Sequence, residues 1–178
     1  LLAIALEKIS IKARSWLGWQ IPIFTDKTYG KSLIEKIKTD NISKDLEVNQ
    51  VAIVSGFQGV SSENRITTLG RGGSDTTAVA MAASFSAVRC DIYTDVDGVY
   101  TTDPRIVKSA KKLDIITYEE MLELASQGAK VLQARSVALA MKYGVNLRVL
   151  SSFEDLPGTS IVKEEKNMEK SEISGIAH

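Results

Sequence analysis

Residues 67–75, TTLGRGGSD, join three glycines to an arginine, a serine and an aspartate just ahead of a predicted helix. In this glycine-rich segment the glycines allow a close approach of the backbone to a ligand, and the helix N-terminus offers free N–H groups. Arg71 adds a planar fork that suits a carboxylate or a phosphate. The segment matches neither the P-loop pattern nor G-x-G-x-x-G, and a plain glycine-rich turn with a helix cap is the alternative.

A second candidate is the acidic segment, residues 94–105, TDVDGVYTTDPR, which follows a predicted strand. Asp95 and Asp97 alternate as in a calcium loop. Glycine nevertheless falls at the fourth position instead of the sixth, and Ile106 stands where the bidentate glutamate belongs. A nucleotide-binding loop at the end of a strand and a solvated acidic turn both remain open.

The third candidate is Lys130, which lies near the start of a helix predicted over residues 129–143. A lysine at a helix N-terminus opposes the helix dipole, so an anionic ligand such as a phosphate would explain its presence. A solvent-facing lysine, tolerated at a small cost, is the alternative.

The composition excludes several kinds of chemistry. His178 is the only histidine and the last residue, and Cys90 is the only cysteine. A Ser–His–Asp triad, an internal disulfide and a zinc site are therefore not expected. No apolar run approaches 18 residues, which predicts no membrane span. Lysine plus arginine and aspartate plus glutamate number 22 each, so we expect no general attraction to nucleic acid or anionic membrane.

Strands and helices alternate along the chain and must position these segments. The predicted helices cover residues 1–10, 41–46 and onward, 76–87 (capped by Ser74 or Asp75), 117–126 (with a capping box) and 129–143 (ended by Gly144). The predicted strands cover residues 11–17, 21–25, 32–37, 50–55, 89–94 and, as the last strand, 145–150, with a polar loop over residues 59–73. This alternation predicts an α/β layered fold.

Both ends of the sequence suggest a piece of a longer protein. The chain opens inside an apolar helical pattern without a methionine, and residues 163–170 form a charged run before an apolar pattern restarts at Ile173. We expect residues 1–162 to be the C-terminal portion of a catalytic domain. Residues 163–178 are expected to be a linker and the start of a further domain.

Several blocks, in order, resemble the aspartate kinases of the amino acid kinase family. They are VSGFQG at residues 54–59, the glycine-rich segment, YTDVDGVY at residues 93–100, TDPR at residues 102–105 and GAKVL at residues 128–132. Residues 13–20, ARSWLGWQ, are similar to a further family stretch, with Trp16 in place of leucine. Gln133-Ala134 replaces the His-Pro of many relatives, a variation that the family tolerates.

The resemblance implies transfer of the ATP γ-phosphoryl group to the side-chain carboxylate of L-aspartate. The product, 4-phospho-L-aspartate, starts the route to lysine, threonine and methionine. The resemblance also implies a three-layer α/β/α sandwich around a mainly parallel sheet, with ATP and Mg²⁺ as cofactors. It further implies a cytoplasmic location and a homodimeric full-length protein with regulatory ACT domains. Because the attacking carboxylate is already ionised at a pKa of roughly 4, no general base and no histidine are needed.

The resemblance also implies roles for individual residues. Arg71, Gly72, Gly73 and Ser74 would bind aspartate, with Asp75, Lys130 and Arg71 as the catalytic groups. The ATP-binding positions would be Thr94, Asp95, Tyr100, Asp103, Pro104, Arg105, Lys130 and Val131, with Asp103 and Pro104 shaping their loop. No residue of this chain is expected to be a metal ligand.

Two family segments have no counterpart in this sequence. One is a Lys-Phe-Gly-Gly-Thr-Ser strand with a phosphate-contacting lysine, and the other is a Gly-Glu pair with a substrate-binding glutamate. We therefore expect the chain alone to be inactive or weakly active. The alternatives are a kinase for another small acid, such as glutamate or acetylglutamate, or for a nucleoside monophosphate, and an inactive remnant or binding subunit of the same fold.

Overall fold

The computed structural model describes residues 1–129 and 131–163, and the chain divides into two compact units, Leu1–Phe85 and a second that begins at Ser86. The first unit contains α1 (Leu2–Lys8), β1 (Ala13–Trp16), β2 (Ile23–Thr25), β3 (Ile34–Ile37), α2 (Asp40–Glu47), β4 (Val51–Val54), β5 (Gln58–Ser61), β6 (Ile66–Thr68) and α3 (Gly73–Ser84). The second contains β7 (Cys90–Thr94), β8 (Ile115–Thr117), α4 (Tyr118–Ser126), α5 (Ala134–Tyr143), β9 (Leu147–Ser151) and β10 (Thr159–Val162).

The first unit has two sheets. Strands β1 and β4 pair in parallel, and a mixed sheet has the order β3-β2-β5-β6, in which β2 and β5 are parallel. Trp16, Ile21 and Ile42 form a buried cluster. Partly buried side chains of β3, β4 and α3 pack against this cluster, so the core holds α2 and α3 to the strands.

Trp16 replaces the leucine of the family pattern, and its polar atom has a partner. The indole N–H donates to the Asp45 carboxylate on α2 at 2.9 Å. The guanidinium of Arg14 lies 4.6 Å from the centre of the Trp16 ring and pairs with Asp45. A buried tryptophan needs such an acceptor, and this pair connects β1 to α2.

The second unit is built on one sheet with the order β7-β9-β10-β8. Strands β7 and β9 are parallel, as are β8 and β10, whereas β9 and β10 are antiparallel. The predicted capping box is confirmed, because Thr117 and Glu120 bond reciprocally at the start of α4. Gly144 ends α5 with φ +65°, as predicted.

The α/β prediction is confirmed, and most strand pairs in the described part of the chain are parallel. The prediction of a polar loop over residues 59–73 was wrong, because β5 and β6 form an antiparallel pair there. A Cβ on Gly59 would lie 2.3 Å from Cγ2 of Thr25, so this glycine permits close strand packing and does not mark a loop. Strands β8 and β10 were not predicted, and β9 is consequently not the last strand.

Two predicted helix starts were also wrong. Gly72, with φ +69°, is the N-cap of α3, so Ser74 and Asp75 lie inside its first turn. Helix α5 begins at Ala134 instead of residue 129, which removes the helix-dipole argument for Lys130. None of the helices in residues 1–129 and 131–163 has the length and apolar character needed to cross a bilayer.

Candidate functional site

The glycine-rich segment turns sharply between β6 and α3. Gly70 and Gly72 have φ angles of +76° and +69°, which glycine adopts without the strain that a side chain would add. The amide of Gly73 donates to the carbonyl of Gly70 at 3.0 Å, which closes the turn. Helix geometry leaves the next amides of α3 without intrahelical acceptors, so they are available to an anion.

Arg71, Ser74 and Asp75 surround this helix start. Arg71 and Ser74 are exposed, and Asp75 is partly buried. No ion pair or side-chain hydrogen bond joins Arg71 to any residue of the part of the chain that the structure describes. A cationic fork beside free amides is suited to a ligand carboxylate.

The surroundings of Asp75 disfavour the ionised form of its carboxyl group. Burial raises its pKa above the ordinary aspartate value, and a hydrogen bond from the Ser74 side chain offsets part of that rise. The ionised form therefore carries a desolvation cost that a nearby cation would relieve. This favours a carboxylate that orients cationic groups, the role that the family resemblance implies for Asp75.

The acidic segment contains a bidentate ion pair. Nε and Nη2 of Arg105 donate to the two carboxylate oxygens of Asp103 at 3.0 and 2.7 Å. The same carboxylate accepts the backbone N–H of Arg105 at 2.9 Å across Pro104. Asp103 thus fixes an exposed guanidinium in one orientation, which agrees with a loop-shaping role.

Tyr100 lies on a polar cluster within the same segment. Its hydroxyl donates to the Asp97 carboxylate at 3.0 Å, and the ammonium group of Lys112 lies 3.4 Å from that carboxylate. Burial and the hydrogen bond to Asp97 raise the pKa of Tyr100, so the phenol stays protonated at neutral pH. Thr94 donates to the Asp95 carboxylate at 3.1 Å where β7 ends.

The start of β10 anchors the acidic segment. The buried hydroxyl of Thr159 accepts the backbone N–H of Val99 at 2.8 Å and donates to the carbonyl of Leu113. A Cβ on Gly98 would lie 2.6 Å from that hydroxyl, which requires glycine there. Thr159 and Lys112 are absent from the sequence-based predictions because both lie outside the segment they hold, Thr159 at 60 residues from Val99 and Lys112 at 15 residues from Asp97.

The predicted residues fall into two groups. Arg71, Gly72, Gly73, Ser74 and Asp75 lie together in the first unit. Thr94, Asp95, Tyr100, Asp103, Pro104, Arg105 and Val131 belong to the second unit. Lys130 lies outside the described residues, and its proposed contact with a phosphate stays a prediction.

Sequence reasoning also missed Phe57 and Thr77, which contact the glycine-rich segment. Thr77 belongs to the hydroxyl-rich run that opens α3, and such runs are a signal for capping and side-chain to backbone bonds. Phe57 adopts a φ of +68°, which nothing in the residue type signals.

Comparison with known proteins gives consistent relatives. The chain is 55% identical over 177 residues to an aspartokinase of Rickettsia felis and 57% identical over 178 residues to an aspartate kinase of Pseudomonas fluorescens. Each match covers 99% of this chain but only 44% and 43% of those proteins, so the chain spans less than half of their length.

Solved structures point the same way. The crystal structure of E. coli aspartokinase III in complex with aspartate and ADP matches with a TM-score of 0.76 and 33% identity, over 91% of this chain and 37% of that chain. UMP kinase from Ureaplasma parvum, at 24% identity and a TM-score of 0.63, shows the shared fold alone. The model of the amino acid kinase family matches residues 1–151. The chain therefore belongs to the amino acid kinase family.

Proposed function

We propose that the protein is an aspartate kinase, which transfers the γ-phosphoryl group of ATP to the side-chain carboxylate of L-aspartate. The observation that carries this proposal is an anion site formed by Arg71, which has no partner among the described residues, and the free amides at the start of α3. The site lies in a chain that is 55% identical to an aspartokinase. A relative of the same fold holds aspartate and ADP in its crystal structure. The product, 4-phospho-L-aspartate, would enter the synthesis of lysine, threonine and methionine.

The first unit supplies the groups that bind aspartate. The fork of Arg71 would hold a substrate carboxylate in a bidentate grip, while the amides of Ser74 and Asp75, which follow the Gly73 amide in the first turn of α3, are available to the same anion. Asp75 would orient the cationic groups of the site. These contacts place an ionised side-chain carboxylate for attack, and positioning of this kind supplies a large part of the rate in phosphoryl transfer.

The second unit supplies the groups that bind ATP. The guanidinium of Arg105, paired with Asp103, is exposed and suits a phosphate. Tyr100, five residues earlier, has a protonated phenol that donates to Asp97. Thr94 and Asp95 lie where β7 ends, which is where α/β sheets bind nucleotides. Lys130 and Val131 complete the proposed set.

In the reaction, an aspartate side-chain oxygen forms a bond to the γ-phosphorus as the bond from that phosphorus to the ADP oxygen breaks. Lys130 would neutralise charge on the transferring group. A Mg²⁺ carried mainly by the ATP phosphates would neutralise their charge.

The test is formation of aspartyl phosphate, trapped as its hydroxamate. We define the hybrid enzyme as the Rickettsia felis aspartokinase whose 177 matched residues are replaced by this chain. We expect ATP- and Mg²⁺-dependent hydroxamate from the hybrid enzyme with L-aspartate, and little or none from the chain alone.

Glutamate, acetylglutamate and UMP as competing acceptors separate the proposal from its rivals. If the hybrid enzyme prefers one of these acceptors to L-aspartate, that acceptor becomes the proposed substrate. An inactive hybrid enzyme that still binds ATP, alongside an active Rickettsia parent, would instead indicate a binding subunit. The homodimer stays a prediction, which ultracentrifugation of the hybrid enzyme would test.

A further inference from the structure

Phe57 adopts a backbone conformation that is unfavourable for its residue type. It follows β4 and has a φ of +68°, in the left-handed region that bulky residues rarely occupy. Such a conformation costs about 1–2 kcal/mol relative to glycine, so the surrounding structure must hold it.

Thr77 holds this conformation from α3. Its hydroxyl accepts the backbone N–H of Phe57 at 3.1 Å and donates to the carbonyl of Gly73 at 2.7 Å. One buried hydroxyl thus acts as acceptor for the residue that precedes β5 and as donor to the first turn of α3. The Phe57 carbonyl in turn accepts the N–H of Leu69 at 3.0 Å.

The Phe57 ring lies close to Gly73, the first residue of α3. A Cβ on Gly73 would lie 2.8 Å from Cδ2 of Phe57 and 2.9 Å from Cβ of Leu69. Gly56 also lies next to the start of α3, since a Cβ on Gly56 would be in ordinary contact, 3.5 Å, with Cα of Ser74. Residues 56 and 57 therefore pack against the end of the segment that presents Arg71.

We infer that Thr77 is a positioning residue for the substrate site: its hydroxyl fixes Phe57 against the glycine-rich segment and so sets the backbone conformation that binds L-aspartate. The choice of L-aspartate as the ligand rests on the proposed function, whereas the effect of Thr77 on Phe57 and the glycine-rich segment does not. The hydrogen bonds of the Thr77 hydroxyl are to Phe57 and Gly73, so Thr77 acts through these two residues.

Thr76 provides a matched control. Its hydroxyl donates to the carbonyl of Gly72 at 2.9 Å, the same bond one residue earlier, and it is as buried as Thr77, at 2% against 3% exposure. It has no bond to Phe57. T77V and T76V therefore each remove one buried hydroxyl and one bond to the preceding turn, and only T77V releases the Phe57 amide.

Amide hydrogen exchange of the chain by NMR is the first measurement. T77V is expected to speed the exchange of the Phe57 and Leu69 amides at least tenfold, whereas T76V and T77S leave both near the unaltered rates. If T77V does not fold, T77A and T76A give the same comparison with smaller side chains. Equal exchange in the two members of a pair would overturn the inference.

Kinetics of the hybrid enzyme give the second measurement. T77V is expected to raise KM for L-aspartate about tenfold and to leave KM for ATP within twofold of the unaltered value. T77S keeps the hydroxyl and is expected to keep KM for L-aspartate near the unaltered value. Faster exchange with an unchanged aspartate KM would reduce Thr77 to a structural residue. An inactive unaltered hybrid enzyme counts against the proposed function, and the exchange of residues 69–73 then decides whether Thr77 orders the segment.

Discussion

The proposed role of the exposed Arg71 guanidinium depends on its planar shape, which allows two parallel hydrogen bonds to one carboxylate. A lysine keeps the charge but loses the planar fork, so R71K in the hybrid enzyme is expected to raise KM for L-aspartate at least tenfold. Steady-state kinetics with each substrate varied in turn check this. R65K, at an exposed arginine in the β5–β6 turn, is the control and is expected to change neither KM. Equal effects of R71K and R65K would remove Arg71 from the site.

Asp75 links function to stability through its raised pKa. Because the folded state holds this proton more tightly than the unfolded state, stability falls as pH rises from the ordinary aspartate pKa through the folded value, and the full cost persists above it. D75N removes that cost. We therefore expect D75N to have a higher Tm than the unaltered chain at pH 7, with the difference shrinking as pH falls through the raised pKa of Asp75 toward the ordinary aspartate value. A Tm difference independent of pH would contradict this origin.

The same variant is expected to lose activity. In the hybrid enzyme, D75N should lower kcat about 100-fold or more, because an uncharged amide no longer orients the cationic groups around the reacting phosphate. Hydroxamate formation measures kcat, and circular dichroism confirms the fold. Near-normal kcat would exclude Asp75 from catalysis.

At the scale of elements, Gly144 and Gly158 have similar positive φ angles but different surroundings. Gly144 ends α5, and Gly158 lies in the connection between β9 and β10. A Cβ on Gly144, which ends α5 at φ +65°, would meet no atom of the described residues within 4 Å, whereas a Cβ on Gly158 at φ +71° would lie 2.0 Å from the Val149 carbonyl oxygen. G144A is expected to cost about 1–2 kcal/mol from backbone strain alone. G158A adds a clash within the β9–β10 connection and should cost at least twice as much. Urea denaturation with comparison of midpoints measures both, and equal costs would contradict the packing argument.

The elements that the sequence predicts are those with a local signal. The capping box at Thr117 and the glycine that ends α5 depend on neighbouring residues, and both were correct. Strands β5, β6, β8 and β10 are only three or four residues long, which is too short for hydrophobic periodicity to identify them. Gly59 misled the prediction because its reason is a contact with Thr25, not a turn.

For the site, the motifs point to residues that the proposed function uses, but not to the residues that hold them in place. Arg71 and Asp75 stand in a recognisable order, whereas Thr77 and Thr159 act through a hydroxyl bonded to a distant backbone amide. Such bonds depend on tertiary structure. The division of the chain at Phe85 likewise has no marker in composition, since no linker rich in proline, glycine or serine lies there.

At the scale of the whole molecule, apolar exposure and charge together predict self-association. Helix α1 has seven residues and buries none of them, with Leu2 57% and Ile4 59% exposed. An isolated helix of this length is unstable in water, so its apolar side chains gain most from covering by another surface. The chain has a formal net charge of zero, so electrostatic repulsion does little to oppose association near pH 7.

We therefore expect the chain to form dimers or larger species at tens of micromolar, and the double variant L2E/I4K to shift it toward monomer because charges on α1 resist burial. The double variant adds one charge of each sign and leaves the net charge unchanged. V88K is the control, because Val88 is 91% exposed in the second unit and lies on no part of α1. Sedimentation velocity over a concentration series measures the distribution. The same shift with V88K, or none with L2E/I4K, would locate the association away from α1.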